Sequence, residues 1–295
     1  MIKDVRDAVE ATSEWILKQA RKSQASALIV GISGGVDSAV VAGLCQKTLL
    51  AVIGVLMPCH SSPSSIDRGE EVVKRFCHFR HLVDLSEAHA SISSQVHATI
   101  TGIEIPKPAD AALRSCLRAP TLDFVSKVYN GIIVGTGNRD EDEVTRYFQK
   151  RGDGCVDISP IAKYHKSEIY QLGQFLNVPD SVMTATPSAD LWGPDSGQED
   201  EKELGISYDE IEWAMQFAQK YSKIPLFVSG GVSSVHFHDA LAMATKLRLD
   251  ISPRQRDVIY RLAALEEKSR HKANPNLPVF DARAELGLDS EVTAA

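Results

Sequence analysis

The chain has 295 residues, 43% of them hydrophobic, enough to bury a good core in one large domain or in one domain with an extension. Its formal charge of −7 leaves no broad basic surface for a nucleic-acid backbone, and no apolar run approaches the ~20 residues that cross a bilayer. The charged, helix-like N-terminus MIKDVRDAVEATSEW is unlike a signal peptide, and five cysteines (Cys45, Cys59, Cys77, Cys116, Cys155) without a Cys-x-x-Cys pair indicate neither a disulfide framework nor a zinc ribbon, so a cytoplasmic protein is expected.

Residues 3–22 place Val5, Val9, Ile16 and Ala20 near one face of a helix. Ala25 to Ile32 is a short apolar, β-branched strand. It runs into Ser33-Gly34-Gly35-Val36-Asp37-Ser38, after which Ala39 to Leu50 carries helix-forming residues. A strand, a tight glycine loop and a helix N-terminus make an anion cradle, because the glycines admit close approach and the first-turn amides point at the guest. Asp37 suits a phosphate only if a divalent cation lies between them, so a metal–pyrophosphate complex fits the mixture. The hexapeptide resembles the SGGxDS signature of the ATP-pyrophosphatase (PP-loop) group, and the Gly-Lys-Ser/Thr of a Walker A loop is absent. That resemblance implies cleavage of ATP between its α and β phosphates and adenylation of a substrate.

Further along, Ala51 to Met57 reads as a strand, Ile66 to Phe79 as a helix and His81 to Leu85 as another strand. The βαβαβ alternation predicts an α/β fold with a parallel sheet and helices on both faces, adenine-nucleotide α-hydrolase-like once the PP-loop resemblance is added. Ligands in such sheets gather at the carboxyl ends of the strands, so the Ser33 loop, the Cys59 loop and the segment after Leu85 are expected on one edge. The pattern weakens from Ala88 to Ile105, and Ile105-Pro106-Lys107-Pro108 reads as a connector. A helix is expected from Asp110 to Tyr129, with Pro120 starting a new turn or kinking it. Ile132 to Thr136 is a fourth strand. The acidic run that follows, Gly137 to Glu143, is either a solvated helix start or a source of carboxylates that join Asp37 in holding Mg²⁺.

Several motifs in order narrow the family. Gly135-Thr136-Gly137-Asn138-Arg139-Asp140-Glu141, Tyr147 to Gly154, Val156-Asp157-Ile158-Ser159-Pro160, His165-Lys166-Ser167-Glu168, Pro187 to Trp192, Asp200 to Gly205 and Ser207 to Ile211 resemble ammonia-dependent NAD synthetase. The likeness covers about residues 30–220 and returns at Arg270-His271-Lys272. It implies ATP-dependent amidation of nicotinic acid adenine dinucleotide (deamido-NAD) to NAD by way of an acyl adenylate, with release of AMP and pyrophosphate. By position it implies that Gly31 and Ser33, Gly34, Gly35, Val36, Asp37 and Ser38 bind ATP together with Thr136, Lys166 and Ser188. Asp37 and Glu141 would ligate Mg²⁺, and Asp37 and Lys166 would be catalytic. Arg114, Arg118, Lys150, Asp157, His271 and Lys272 would contact deamido-NAD. A homodimer is implied as well. The chain has no room for a glutamine-hydrolysing domain, so free ammonia or a separate donor is expected.

Two departures bear on the site. Cys116 stands where the family has the first arginine of an Arg-x-Arg-Met segment, which leaves Arg118 or, one turn earlier, Arg114 to replace it. An extra residue between Thr136 and Tyr147 leaves Glu141, Asp142 and Glu143 open as the metal ligand by register, with Glu141 favoured. The alternatives to NAD synthesis are a PP-loop ligase acting on a different acid and a silent ATP-binding regulator.

The Ser181 to Gly205 segment is long enough to be a lid. Ser229 to Ser234 imitates the glycine loop, but Ser233 replaces the Asp, so a turn or cap is expected there. His236 and His238 are expected to be structural, and Arg254 to Lys268 an amphipathic helix. Residues 1–222 are expected to form the PP-loop domain and 223–295 a helical extension of it.

Overall fold

In the computed structural model, residues 1–191, 199–221 and 237–273 are described. Helix α1 (Val5–Lys22) opens where the Asp4 carboxylate accepts the Asp7 amide, and it buries Val9, Ile16 and Ala20. Strand β1 (Ala27–Ile32) leads through the glycine loop into α2 (Val36–Gln46), and β2 (Ala51–Leu56) into α3 (Pro63–Phe76). Strand β3 (Phe79–Leu82) precedes α4 (Ser86–Thr99) and α5 (Lys107–Tyr129), and β4 (Gly131–Ile133) follows. Among the described residues the sheet has the order β3-β2-β1-β4, all parallel.

Alternation along β1 explains why helices cover both faces. Leu28, Val30 and Ile32 enter one cluster with α2 residues and Ile16 of α1, whereas Ala27 and Ile29 enter another with Met57, Cys59 and Val125. Each fully buried Leu or Ile contributes about 2–3 kcal/mol of hydrophobic stabilisation.

Beyond β4 lie a π-helical turn (Asp140–Thr145), α6 (Lys166–Leu176), α7 (Asp180–Met183), α8 (Asp200–Leu204), α9 (Tyr208–Tyr221), α10 (Phe237–Lys246), α11 (Pro253–Lys268) and α12 (Arg270–Ala273). Helices α9, α10 and α11 build a further apolar cluster around Ile211, Met215, Phe237 and Leu262, which Val144 of the π-helical turn joins. Among the described residues no helix is long and apolar enough to cross a membrane.

Three expectations change. The third strand ends at Leu82 rather than spanning His81 to Leu85, because its register runs Ile53↔Phe79 to Leu56↔Leu82 and β2 stops there. It is an edge strand with mostly exposed residues, so burial periodicity gives no signal. The weak segment after Ala88 is the helix α4, which buries only His89. Pro120 starts no new helix, since α5 runs on through it from Lys107 to Tyr129: it lies on the exposed side, and the Thr121 hydroxyl donates to the Leu117 carbonyl beside it. The imitation loop Ser229 to Ser234, His236 and the side chain of His238 lie outside the described residues, as does 192–198 of the expected lid.

Candidate active site

The carboxyl ends of β1, β2 and β4 open into a cleft of about 250 Å³. Gly31, Ser33, Gly34, Gly35, Val36, Asp37 and Ser38 all line it, with Thr136, Glu141, Lys166, Ser188 and Arg118. The loop after β2 reaches it through Pro58 and Ser61. The segment after Leu85 meets the same sheet edge, where Leu85 donates to the Pro58 carbonyl, but does not line the cleft.

Within the loop, the Ser38 hydroxyl accepts from the Ser33 amide at 3.3 Å and donates to the Gly35 carbonyl at 3.0 Å. Gly35 is the N-cap of α2 and has no side-chain cap, so the first-turn amides keep their donors for an anion. Gly34 has φ +82°, and a Cβ there would lie 2.2 Å from the Ser65 carbonyl oxygen. Only glycine lets α3 approach so closely. Arg68 of α3 donates through Nε to the Gly34 carbonyl at 3.2 Å and also lines the cleft.

Asp37, Glu141 and Lys166 form the charged centre. Lys166 Nζ donates to Asp37 Oδ2 at 2.6 Å and to Glu141 Oε1 at 2.8 Å, with its side chain 5% exposed. Burial alone would discharge the ammonium, but the two carboxylates hold its pKa well above the ordinary lysine value. Burial pushes Asp37 up, and the attraction of Lys166 does not cancel that rise, to which the Glu141 charge adds. Glu141 also pays for burial, yet Lys166 and hydrogen bonds from Lys166, Tyr208 and Asn138 bring it below the usual carboxylate range.

The acidic run sorts itself in space. Glu141 enters the cleft, Glu143 pairs with Lys163 at 2.8 Å, and Asp142 packs where a Cβ on Gly137 would sit. Burial and the neighbouring carboxylates push Asp142 up to about 8. One extra residue is what an i→i+5 turn absorbs, and the run is π-helical from Asp140 to Thr145. Asp140, fully buried, accepts from His165 Nδ1 at 2.6 Å and from the Lys166 amide at 2.7 Å. Glu212 of α9 takes the Ser167 amide and hydroxyl at 3.0 and 2.8 Å. The first turn of α6, and with it Lys166, is pinned from two sides.

On α5 the cleft-facing residues are Ser115, Arg118 and Leu122, spaced three and four apart as one helical face requires. Arg114, one turn before Arg118, does not line the cleft and pairs with Asp110 at 2.9 Å, and Cys116 does not line it either. The structure therefore brings Arg118 to the cleft and not Arg114. Lys150, Asp157, His271 and Lys272 do not line it. The Asp157 carboxylate accepts the Ile133 amide at 2.7 Å, His271 is exposed, and Lys272 donates to the Arg146 carbonyl at 3.0 Å.

Several polar residues at the centre stand inside the quoted motifs but receive no role from the sequence. Buried Asn138 donates to Asp37 Oδ1 at 2.9 Å and accepts the Asp140 and Glu141 amides. Its place between a strand end and an acidic run was the available signal. Asp190 accepts the Ser62 amide at 3.2 Å, and Asp200 accepts the Ala189 amide at 2.9 Å, which ties the described flanks of the expected lid to the cleft.

The NAD synthase family model matches residues 8–247. An NH(3)-dependent NAD(+) synthetase of Alkaliphilus metalliredigens is 40% identical over 211 residues, 69% of this chain and 83% of the relative. One of Carboxydothermus hydrogenoformans is 36% identical over 207 residues, 70% of this chain and 83% of the relative. Among solved structures, NMN synthetase from Francisella tularensis superposes with TM-score 0.74 at 23% identity, covering 95% of this chain and all (100%) of that one. NH3-dependent NAD synthetase from Campylobacter jejuni superposes with TM-score 0.68 at 17% identity over the same shares, 95% and 100%. At such identities the superpositions establish the fold.

Proposed function

The chain belongs to the NAD synthase family, and from that premise and the cleft we propose that it amidates deamido-NAD to NAD with ammonia and ATP, through an acyl adenylate. The observation that carries the reading is one cleft holding an uncapped glycine-loop helix N-terminus beside a buried Asp37–Lys166–Glu141 centre. Triphosphate and acid can meet there with their repulsion offset.

The carboxylate of deamido-NAD attacks the α-phosphorus of ATP, and pyrophosphate departs toward the first-turn amides of Val36 and Asp37 and the positive end of α2. Lys166 supplies a fixed cation that is charged throughout the physiological range. Ammonia then attacks the activated carbonyl, and AMP leaves. No protein nucleophile is needed.

Mg²⁺ fits the donor set: two carboxylates share one ammonium, and hard oxygen ligands suit that ion. Asp37 and Glu141 would hold it, and when bound it neutralises charge on the departing pyrophosphate. Thr136 and Ser188 serve ATP in the same proposal, and Arg118 takes the place of the arginine missing at Cys116. Arg114, Lys150, Asp157, His271 and Lys272 would meet the dinucleotide outside the cleft as a single chain presents it.

A homodimer belongs to the same proposal, and an apolar groove supports it. A groove of about 580 Å³ on α5 and β3, lined by Leu82, Phe124 and Val128, leaves those residues 47%, 73% and 65% exposed. A second copy covering it would remove that apolar surface from water. A cytoplasmic address belongs to the same proposal.

The test is one coupled assay with ATP, Mg²⁺, ammonium and deamido-NAD. NAD, AMP and pyrophosphate in equal amounts are expected. No NAD at any ammonium concentration would overturn the reading, and AMP release only with another acid would favour a different ligase.

A further inference from the structure

Tyr208, the first residue of α9, belongs to the apolar cluster of the C-terminal helices and is 7% exposed. Packing alone asks for a ring there, and phenylalanine would fill the same space. A hydroxyl in such surroundings is costly unless it is bonded. This one donates to Glu141 Oε1 at 2.8 Å, the same oxygen that accepts from Lys166 Nζ. The Lys166 ammonium also lies 4.9 Å from the centre of the Tyr208 ring. One side chain thus holds both the carboxylate and the cation of the charged centre.

Its own position is fixed from several directions. The Tyr208 amide donates to Glu201 Oε1 at 2.9 Å. Just before it, the Ser207 amide donates to Glu210 Oε2 at 2.9 Å while the Glu210 amide donates to Ser207 Oγ at 3.2 Å. Glu210 is in turn gripped by Arg254 of α11 at 2.7 Å. On the other side the Tyr208 hydroxyl lies 3.4 Å from Asp200 Oδ2, whose second oxygen accepts the Ala189 amide beside Ser188.

We propose that Tyr208 is a positioning residue for the metal carboxylate, using the rigidity of the C-terminal helical cluster to hold Glu141 in the orientation that binds Mg²⁺. The inference rests on Glu141 being a metal ligand. A ligating carboxylate that swings freely binds its ion less well, and loss of such an outer partner typically weakens metal affinity about 10- to 100-fold. The ring of Tyr208 keeps its packing role whether or not the hydroxyl is present, so the two roles separate in Tyr208→Phe.

The experiment measures Mn²⁺ binding to the full chain by electron paramagnetic resonance, with α,β-methylene ATP present, for the parent, Tyr208→Phe, Glu141→Gln and the double variant. Thermal unfolding and steady-state kinetics accompany it. Expected for Tyr208→Phe are a cooperative melt, Mn²⁺ affinity and half-saturating Mg²⁺ worse by about 10- to 100-fold, and an unchanged KM for deamido-NAD. The double variant should bind Mn²⁺ no more weakly than Glu141→Gln, because the hydroxyl acts through that carboxylate. Parent-like Mn²⁺ binding in Tyr208→Phe, with Glu141→Gln weakened, would overturn the positioning role and leave the metal reading standing. Parent-like binding in Glu141→Gln would overturn the metal reading itself. Failure of Tyr208→Phe to fold would make the hydroxyl structural and end the proposal.

Discussion

Replacing Lys166 by Met keeps the length of the side chain and removes the ammonium that joins two buried carboxylates. The bonds lost measure 2.6 and 2.8 Å, from a side chain 5% exposed to partners 17% and 19% exposed. At an effective dielectric constant of ~20, unit charges that close attract by about 6 kcal/mol per pair, and desolvation of the ammonium offsets several kcal/mol of the sum. Breaking such a centre by removing one partner leaves a net loss of roughly 3–5 kcal/mol. For a chain of this length that is about 5–8 °C in Tm.

The sign of the pH dependence follows from what is left behind. In the parent, the raised pKa of Lys166 gives stabilisation that is complete below the unfolded value near 10.5 and fades only as pH climbs above it. In the variant, Asp37 and Glu141 keep their burial and repel each other, so both rise above their unfolded values, and stability falls as pH rises from about 4 toward neutral. Calorimetry near neutral pH should show the full Tm deficit, and at about pH 4 most of it should vanish. Mg²⁺ should restore part of it near neutral pH by replacing the lost positive charge. Activity should be abolished in both conditions. A Lys166→Met protein as stable as the parent at neutral pH, or with a deficit that ignores pH, would refute the assignment of Lys166 as counter-ion to both carboxylates.

Asp37→Ala should abolish pyrophosphate release while leaving the fold intact, because burial already pushes that carboxyl up and Lys166 keeps Glu141; retained turnover would remove Asp37 from the metal site. Gly34→Ala should cost roughly 2–4 kcal/mol in denaturant unfolding, since a Cβ would meet the Ser65 carbonyl at 2.2 Å on a φ of +82°, and a change below about 0.5 kcal/mol would contradict that geometry. Asp142→Asn should stabilise the protein more as pH rises toward 8. Its carboxyl, held near 8 when folded against 3.8 unfolded, binds a proton in the native state that the unfolded chain has lost; a Tm difference constant between about pH 4 and 8 would exclude this.

The strands β1 and β2 and the glycine loop between β1 and α2 were legible because both faces of β1 are buried and the loop carries its chemistry in six consecutive residues. Asp37, Glu141 and Lys166, 104 and 25 residues apart, were legible only through motif order, and the sheet explains how they converge on one edge. Edge strand β3 was misplaced because exposed residues leave no period to read. Helix α4 was faint because one buried side chain, His89, marks its face. The choice between Arg114 and Arg118 depended on the rotation of α5, which follows from Ser115 bonding Asp153 at 3.0 Å and Leu122 facing the cleft, contacts that no local pattern encodes. Tyr208 resembled an ordinary core aromatic at a helix start, and its hydroxyl acquires a role only once Glu141 is placed beside it.

The most direct measurement of the central claim follows an oxygen atom. Deamido-NAD labelled with ¹⁸O in its nicotinate carboxylate is turned over with ATP, Mg²⁺ and ammonium, and the AMP and pyrophosphate are weighed by mass spectrometry. Attack of the carboxylate on the α-phosphorus predicts one labelled oxygen in each AMP and none in pyrophosphate. Unlabelled AMP, or label in any other phosphate, would contradict an acyl adenylate formed over the Ser33 to Ser38 loop.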